Sequence, residues 1–157
     1  LALEHVSAGL RHESGVALAA VSQCGMALQH AAPALKDNPE VVLAAVHQQG
    51  LAIRSASRRL RIDFAVVLAA VQQNGLALEH AVAAEALLGD SWVIAVAAVQ
   101  QCGLALRFAS PALQDSLELV LLALQQNQTA LQFASDRVRS ALGSSIWTLG
   151  SAPMSGC

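Results

Sequence analysis

Tyrosine is absent from this sequence, and aromatic residues together make up only 3% of it. Charged residues are also scarce, at 13%, and the formal net charge of the 157 residues is −2. Proteins that bind nucleic acid in general present basic patches with aromatic side chains, and anionic membranes attract basic proteins. The composition therefore disfavours a general nucleic-acid binder and provides no overall attraction to an anionic membrane.

Cysteine occurs three times, and no two cysteines have the CxxC spacing. An odd number of cysteines without that spacing does not form a disulfide framework, which fits a reducing, intracellular compartment. The sequence also lacks GxSxG, a GxGxxG after a strand, a phosphate loop, HExxH and paired carboxylates outside helix-capping positions. We therefore expect a protein that is not an enzyme, with no catalytic residues, no cofactor and no metal site.

Long unbroken apolar helices are missing as well, although hydrophobic residues make up 55% of the chain and the mean hydropathy is +0.50. A membrane span needs about 20 apolar residues in one helix. Each apolar run here is broken near its middle by a polar pair and a glycine, as in Gln48-Gln49-Gly50. We expect no transmembrane span and a soluble or peripheral protein. Because Leu1 falls inside a repeat, we expect the chain to be the ordered part of a longer protein.

What the sequence does contain is an internal repeat. The stretch "VVLAAVHQQGLAI" (41–53) returns 25 residues later as "VVLAAVQQNGLAL" (66–78). Alignment on the glycine gives an array over 1–142, with units 1–25, 26–50, 51–75, 76–103, 104–128 and a degenerate unit from 129, and an irregular tail or cap over 143–157. A fixed period of this size is typical of arrays in which each unit buries its apolar face against its neighbours.

Each unit contains one predicted long helix. In "DNPEVVLAAVHQQG" the N-cap is Asp37 or Asn38, Pro39 is the first helical residue, and Gly50 is a left-handed residue at the C-terminal cap. The helix is about eleven residues long and apolar on nearly every side, which is typical of a helix buried on several sides.

A shorter second helix follows in "LAIRSASRRL", where Ile53, Ala56 and Leu60 share one face. The fold predicted from both helices is all-α: an α-solenoid of short helix pairs with about 25 residues per repeat.

Histidine and cysteine can be judged by comparing units. A metal ligand does not alternate with phenylalanine, so the histidine column indicates a half-buried planar side chain. Cys24 and Cys102 lie three units apart, tens of ångströms at the spacing of stacked helices, whereas a disulfide needs Cα atoms within about 7 Å. We expect both to be free structural thiols, with a reactive cysteine as the alternative. The histidine column contains His5, His30, Ser55, His80, Phe108 and Phe133.

Glutamine forms the most regular polar column, because one occurs near the end of the long helix in all five complete units. A glutamine there can bond the last carbonyls of its helix or the loop of the next unit, giving a structural spine along the stack. The alternative is a polar ladder that receives a partner's backbone. The column contains Gln23, Gln48, Gln73, Gln101 and Gln126.

Arginine is concentrated in "RSASRRLRID", which holds four of the nine basic residues. A solvated helix face is the simpler interpretation, and a docking patch for an acidic partner is the functional one. Trp92, at a helix start, and Trp147, in the tail, are candidate anchors for a partner protein. The predicted partner-binding residues are therefore Arg54, Arg58, Arg59, Arg61, Trp92 and Trp147.

The segments "ALQHAAPALKDNPEVVLAAVHQQG" (27–50) and "ALRFASPALQDSLELVLLALQQNQ" (105–128) resemble the tandem repeats of domain of unknown function 4116. The resemblance covers about residues 1–135. It implies an all-helical array with no assigned activity, of a type abundant in protists and notably in dinoflagellate algae. Departures from the pattern are His or Ser in the aromatic slot, Gln128 in place of glycine, and the divergent tail.

The function that we predict is a non-enzymatic helical-repeat scaffold that mediates protein–protein interaction. The resemblance adds the hypothesis of a peripheral structural subunit of a larger complex, organellar or photosynthetic, with a chloroplast location. One alternative is an RNA-binding helical repeat, which needs a line of basic residues along several units. The other is an enzyme that uses Cys24, Cys102 or a histidine, and it needs a second catalytic group.

Overall fold

The computed structural model describes residues 14–82 and 89–143. Within these ranges every regular element is helical, so the predicted all-α class is confirmed. Five 3₁₀ segments alternate with the α-helices, at Gly25–His30, Gly50–Ser55, Gly75–Ala77, Gly103–Phe108 and Gln128–Phe133. The α-helices are α1 (Ser14–Gln23), α2 (Pro33–Lys36), α3 (Pro39–Gln48), α4 (Arg58–Arg61), α5 (Phe64–Gln73), α6 (Leu78–Val82), α7 (Trp92–Gln101), α8 (Pro111–Gln114), α9 (Leu117–Gln126) and α10 (Asp136–Gly143).

A repeat unit therefore contains a long helix, a 3₁₀ segment and a short helix. The long helices α1, α3, α5, α7 and α9 have ten residues each, which is about 15 Å. Side-chain caps fix where α3 and α5 begin: Asn38 Oδ1 accepts from the Glu40 N–H at 2.9 Å, and Asp63 Oδ1 accepts from the Ala65 N–H at 3.0 Å. Of the two predicted caps of α3, Asn38 is the N-cap and Asp37 is the C-terminal cap of α2.

The prediction of one continuous second helix over 51–60 is wrong. The 3₁₀ segment ends at Ser55, Ala56 is extended with φ −70° and ψ 160°, and α4 begins at Arg58. The break occurs because the Ser57 hydroxyl accepts from the Leu60 N–H at 3.3 Å and so caps a new helix. The predicted inner face is still buried, since Ile53, Ala56 and Leu60 are 0%, 7% and 1% exposed.

The prediction that glycine ends the long helix in a left-handed conformation is also wrong. No described residue has a positive φ, and the residue before the glycine is extended, as at Gln49 with φ −147° and ψ 107°. Glycine is present because the next unit approaches closely. A Cβ built on Gly50 would lie 2.4 Å from the Ala70 carbonyl oxygen of α5. The equivalent glycines Gly25, Gly75 and Gly103 face Ala45, Ala98 and Ala123 in the same way.

The core lies between two layers of stacked elements. Each long helix packs on the long helix of the next unit, and each 3₁₀ segment packs on the next 3₁₀ segment. Val, Ile, Leu and Ala at the third, fourth, seventh and eighth positions of the long helices fill the space between the layers. Among the helices in the described ranges, none is long and apolar enough to cross a membrane.

Candidate functional site

The outer side of the long helices exposes large apolar side chains. In the described ranges these are Phe64, Trp92, Val93, Leu117 and Leu121, which are 39% to 54% exposed. All five belong to α5, α7 or α9, and they occupy the first, second or fifth position of the helix. The core is formed by other positions of these helices, so the five exposed side chains are not needed to fill the interior of the repeat. We call this side of α1, α3, α5, α7 and α9 the long-helix face.

Two rows of side chains run along the long-helix face. Residues four apart lie on the same side of a helix, so the fifth and ninth positions are neighbours. The row at the fifth position is apolar and half-buried to exposed, whereas the row at the ninth position is polar and exposed. The apolar row is Leu18, Leu43, Leu68, Val96 and Leu121, and the polar row is Ser22, His47, Gln72, Gln100 and Gln125.

Charge is segregated between the two sides of the array. The five long helices contain no lysine or arginine, and their only carboxylates are Glu40 and Glu118. The basic residues of the described ranges lie in or beside the 3₁₀ segments and short helices: Lys36, Arg54, Arg58, Arg59, Arg61, Arg107, Arg137 and Arg139. Among the described residues, the long-helix face therefore carries apolar and neutral polar side chains with two carboxylates, and the basic side chains lie in the other layer.

A groove of about 440 Å³ lies on the long-helix face between α7 and α9. Its lining includes the apolar side chains of Trp92 and Val96 from α7 and Leu121 from α9. Leu119 and Leu122 complete the apolar lining, and the polar side chains around it are Gln100, Glu118 and Gln125. Trp92 was predicted to bind a partner, but the groove itself was not predicted, because it is formed by two helices from successive units.

The four arginines of the cluster do not act as one binding patch, because Arg59 makes hydrogen bonds to Asp37 of the preceding unit. Its Nε donates to Asp37 Oδ1 at 3.1 Å, and its Nη2 donates to the Asp37 carbonyl oxygen at 2.8 Å. The Ser57 hydroxyl donates to the same carboxylate, and the Ser57 N–H donates to the Lys36 carbonyl oxygen at 2.8 Å. The hydrogen bonds from Ser57 first, and then from Arg59, lower the pKa of Asp37.

The same arrangement, in which a serine and an arginine of one unit bond an aspartate of the preceding unit, recurs at the far end of the array, and we call it a clasp. Arg137 Nη2 donates to Asp115 Oδ2 at 2.8 Å and to the Asp115 carbonyl oxygen at 2.8 Å, and the Ser135 hydroxyl donates to the carboxylate. Hydrogen bonds from Arg137, and then from Ser135, lower the pKa of Asp115. Neither clasp was predicted, although a signal exists: an aspartate followed 20 residues later by Ser-x-Arg occurs at 37–59 and at 115–137.

Arg61 belongs to another column of basic residues, in which Lys36 and Arg139 make hydrogen bonds within the fold. In this column Lys36 Nζ donates to the Gln29 carbonyl oxygen at 2.8 Å and Arg139 Nη1 donates to the Gln132 carbonyl oxygen at 3.1 Å. Both carbonyls belong to the 3₁₀ segment of the same unit. Arg61 is half-buried, and its Nε has no hydrogen-bond partner among the described residues. Of the four predicted arginines, Arg54 and Arg58 are the exposed ones outside these two structural columns.

A spine through all five predicted glutamines is not present in the ranges that the structure describes. Gln73 Oε1 accepts from the Gly50 N–H at 2.5 Å, and so joins two units. A second contact of this kind comes from the next column, where Gln49 Oε1 accepts from the Met26 N–H at 2.9 Å. The other four glutamines are exposed, and their side chains make no hydrogen bond to a described residue: Gln23, Gln48, Gln101 and Gln126. In the described ranges, glutamine side chains therefore join neighbouring units at two places, through Gln49 and Gln73.

The histidine column is half-buried at each described position, as predicted: His30, Ser55, His80, Phe108 and Phe133. In the part of the chain that the structure describes, no three His, Cys, Asp or Glu side chains gather where they could hold a metal ion.

The two cysteines of the shared column differ in redox state. Cys24 is a free thiol, whereas Cys102 is disulfide-bonded, so the prediction of two free thiols is wrong for Cys102. The distance between units excluded only the pairing of these two cysteines with each other. Two other predicted residues, His5 and Trp147, lie outside the described residues, as does most of the predicted tail.

Comparison with known proteins gives one finding. A family model described as a domain of unknown function matches residues 14–61, 38–81 and 94–139. No curated protein and no solved structure matches the chain. The three matches follow each other along the array and together cover more than half of it, so the chain belongs to the DUF4116 family and consists of tandem repeats of its domain.

Proposed function

We propose that this array is a non-enzymatic scaffold that binds other proteins through its long-helix face. One observation carries the proposal: successive long helices expose Phe64, Trp92, Val93, Leu117 and Leu121 beside a half-buried apolar row. Contiguous exposed apolar surface is typical of protein-interaction sites, whereas scattered apolar residues need no explanation. Aromatic residues near the centre of such a surface contribute most to binding.

We further propose that Arg54 and Arg58 form a second binding surface, which binds an acidic partner. Both are exposed and stand on the layer that carries the basic residues. RNA binding, the alternative function, needs a row of basic residues along the units. At the position of Arg59, the fifth unit has Ala112, so the row is interrupted.

The proposal also makes the chain a peripheral subunit of a larger assembly, organellar or photosynthetic and located in the chloroplast. This part rests on the family resemblance. Mass spectrometry of complexes isolated gently from the native cell tests it, because a subunit travels with companions in fixed stoichiometry. A chain isolated alone from every fraction contradicts it.

Two surface variants then test which side binds. We expect the double variant Phe64→Ser with Val93→Ser to lose companions held by the long-helix face, since both side chains are about half exposed and outside the core. The variant Arg54→Glu with Arg58→Glu should lose an acidic companion and leave the Asp37 clasp intact. Thermal unfolding close to that of the wild type controls for folding. If both variants retain all companions, neither surface is the binding site.

A further inference from the structure

We infer that the groove between α7 and α9 binds an apolar polypeptide segment that carries a lysine or arginine beside its apolar anchor. The inference rests on the proposed function and specifies the chemistry of the partner. The volume of the groove, about 440 Å³, lies within the roughly 300–1,000 Å³ of typical binding clefts. The partner's anchor side chain lies against Trp92, Val96 and Leu121.

The apolar lining sets the first requirement on the partner. Trp92 is 39% exposed and Leu121 is 43% exposed, although both stand next to a packed core. An apolar side chain placed between them removes this surface from water, which gains about 25 cal/mol for each Å² buried. A charged or strongly hydrated anchor placed against Trp92, Val96 and Leu121 loses hydration and gains no compensating polar contact from these three side chains.

Charge complementarity sets the second requirement. Glu118 lines the groove and makes no ion pair with a described residue, and none of the five long helices carries a lysine or arginine. An incoming carboxylate or phosphate therefore meets a like charge and no opposite one. An ammonium or guanidinium group next to the anchor pairs with Glu118, which favours the correct orientation and suppresses acidic competitors.

The rim sets the third requirement and separates a polypeptide from a hydrocarbon ligand. Gln100 and Gln125 border the groove from successive units, and both are exposed. Each amide offers donors and an acceptor, and neither makes a hydrogen bond within the described ranges. A polypeptide laid in the groove has backbone N–H and C=O groups that need partners once water leaves. The two amides supply them.

Selection from a display library of random twelve-residue peptides tests the inference. The chain carries Trp147→Phe, so that fluorescence reports Trp92 alone. We expect enriched peptides to share an apolar residue flanked by Lys or Arg and to change the Trp92 emission on binding. Trp92→Ala should weaken the binding of these peptides by about 30-fold, and Leu121→Gln, which adds no cavity, by about 10-fold. Both variants must unfold at temperatures close to that of the wild type.

A matched pair isolates the charge. Glu118 and Glu40 are the second residues of α9 and α3, so each interacts equally with the N-terminal end of its helix. Only Glu118 lines the groove. We expect Glu118→Gln to weaken peptide binding about threefold to tenfold at low salt and less at high salt, and Glu40→Gln to leave it unchanged.

Several outcomes overturn the inference. No enrichment, enrichment of acidic peptides, or equal effects of the two glutamate variants each do so. Self-association of the chain that Leu121→Gln abolishes identifies a second copy as the occupant and also overturns it. Failure of the proposed function can be told apart from failure of this inference, because a chain that is not a scaffold has no native companions. Companions that bind Trp92→Ala and Glu118→Gln normally refute the groove and leave the scaffold intact.

Discussion

Replacing Gly50 with alanine separates two explanations of the glycine column. If glycine serves only as a flexible helix terminator in an ordinary conformation, alanine reduces the entropy of the unfolded chain and stabilises the protein by about 0.4–1 kcal/mol. No described residue has a positive φ, so the backbone accepts an alanine. If glycine serves close packing between units, the added methyl group destabilises the protein. The sign of the effect decides between them.

The structure gives the size of the steric effect. The new Cβ would lie 2.4 Å from the Ala70 carbonyl oxygen and 2.9 Å from Gln73 Oε1, whereas ordinary contacts begin at 3.4 Å. The two units must therefore separate by about 1 Å, and the obstacle is backbone, which cannot rotate away. Overpacking of this kind costs about 1–3 kcal/mol. After the entropic gain is subtracted, we expect a net loss of roughly 1–2 kcal/mol.

Thermal unfolding followed by circular dichroism measures the effect. For about 150 residues, each kcal/mol shifts the Tm by roughly 2–4 °C, so Gly50→Ala should melt a few degrees lower. Gly15 is the matched control, because it lies in α1 and a Cβ there meets nothing within 4 Å. We expect Gly15→Ala to raise stability by roughly 0.5 kcal/mol. A Gly50→Ala protein that melts at or above the wild-type temperature refutes the packing explanation.

Two further predictions concern the polar contacts between units. Gln73→Ala removes the acceptor of the Gly50 N–H and should cost about 1 kcal/mol in urea unfolding, whereas Gln72→Ala, which removes no hydrogen bond to a described residue, should stay within about 0.5 kcal/mol of the wild type. Asp115 has a folded pKa below its ordinary value of 3.8 because of Arg137, so its contribution is present above that value and lost as the pH falls through the folded pKa. Thermal unfolding between pH 5 and 2 should therefore show a smaller acid loss in Asp115→Asn, and equal losses in the two proteins would contradict the clasp.

The long helices could be predicted from the sequence because their signals are local. A cap at Asn38 or Asp63, an apolar run and a polar pair before glycine fix one ten-residue helix at a time. Alignment of the units on the repeat then predicts the other long helices of the layer. Half-burial of the histidine column was also predictable. A position that holds His in some units and Phe in others suits a planar side chain that is partly in contact with the core and partly in contact with water.

Features that depend on two units were not predictable in the same way. The role of Gly50 is set by a carbonyl oxygen of α5, which no pattern within one helix indicates. The arginines of the cluster look alike in sequence, yet Arg59 pairs with Asp37, 22 residues earlier. The groove at Trp92 likewise requires the spacing between α7 and α9. Contacts across a repeat boundary leave only weak, long-spaced signals, such as the aspartate and Ser-x-Arg pattern.

Comparison of the units separates what the stack requires from what it leaves open. The seventh position of every long helix is alanine, and each is buried at a unit boundary: Ala20, Ala45, Ala70, Ala98 and Ala123. The first position differs in every unit and is exposed throughout: Ser14, Pro39, Phe64, Trp92 and Leu117. Close packing of backbones needs only glycine and alanine, so it places no demand on the first position. If the long-helix face binds proteins as proposed, a first position that varies over a constant alanine at the seventh gives each unit a different contact surface, and among these first positions only the one in α7 is tryptophan.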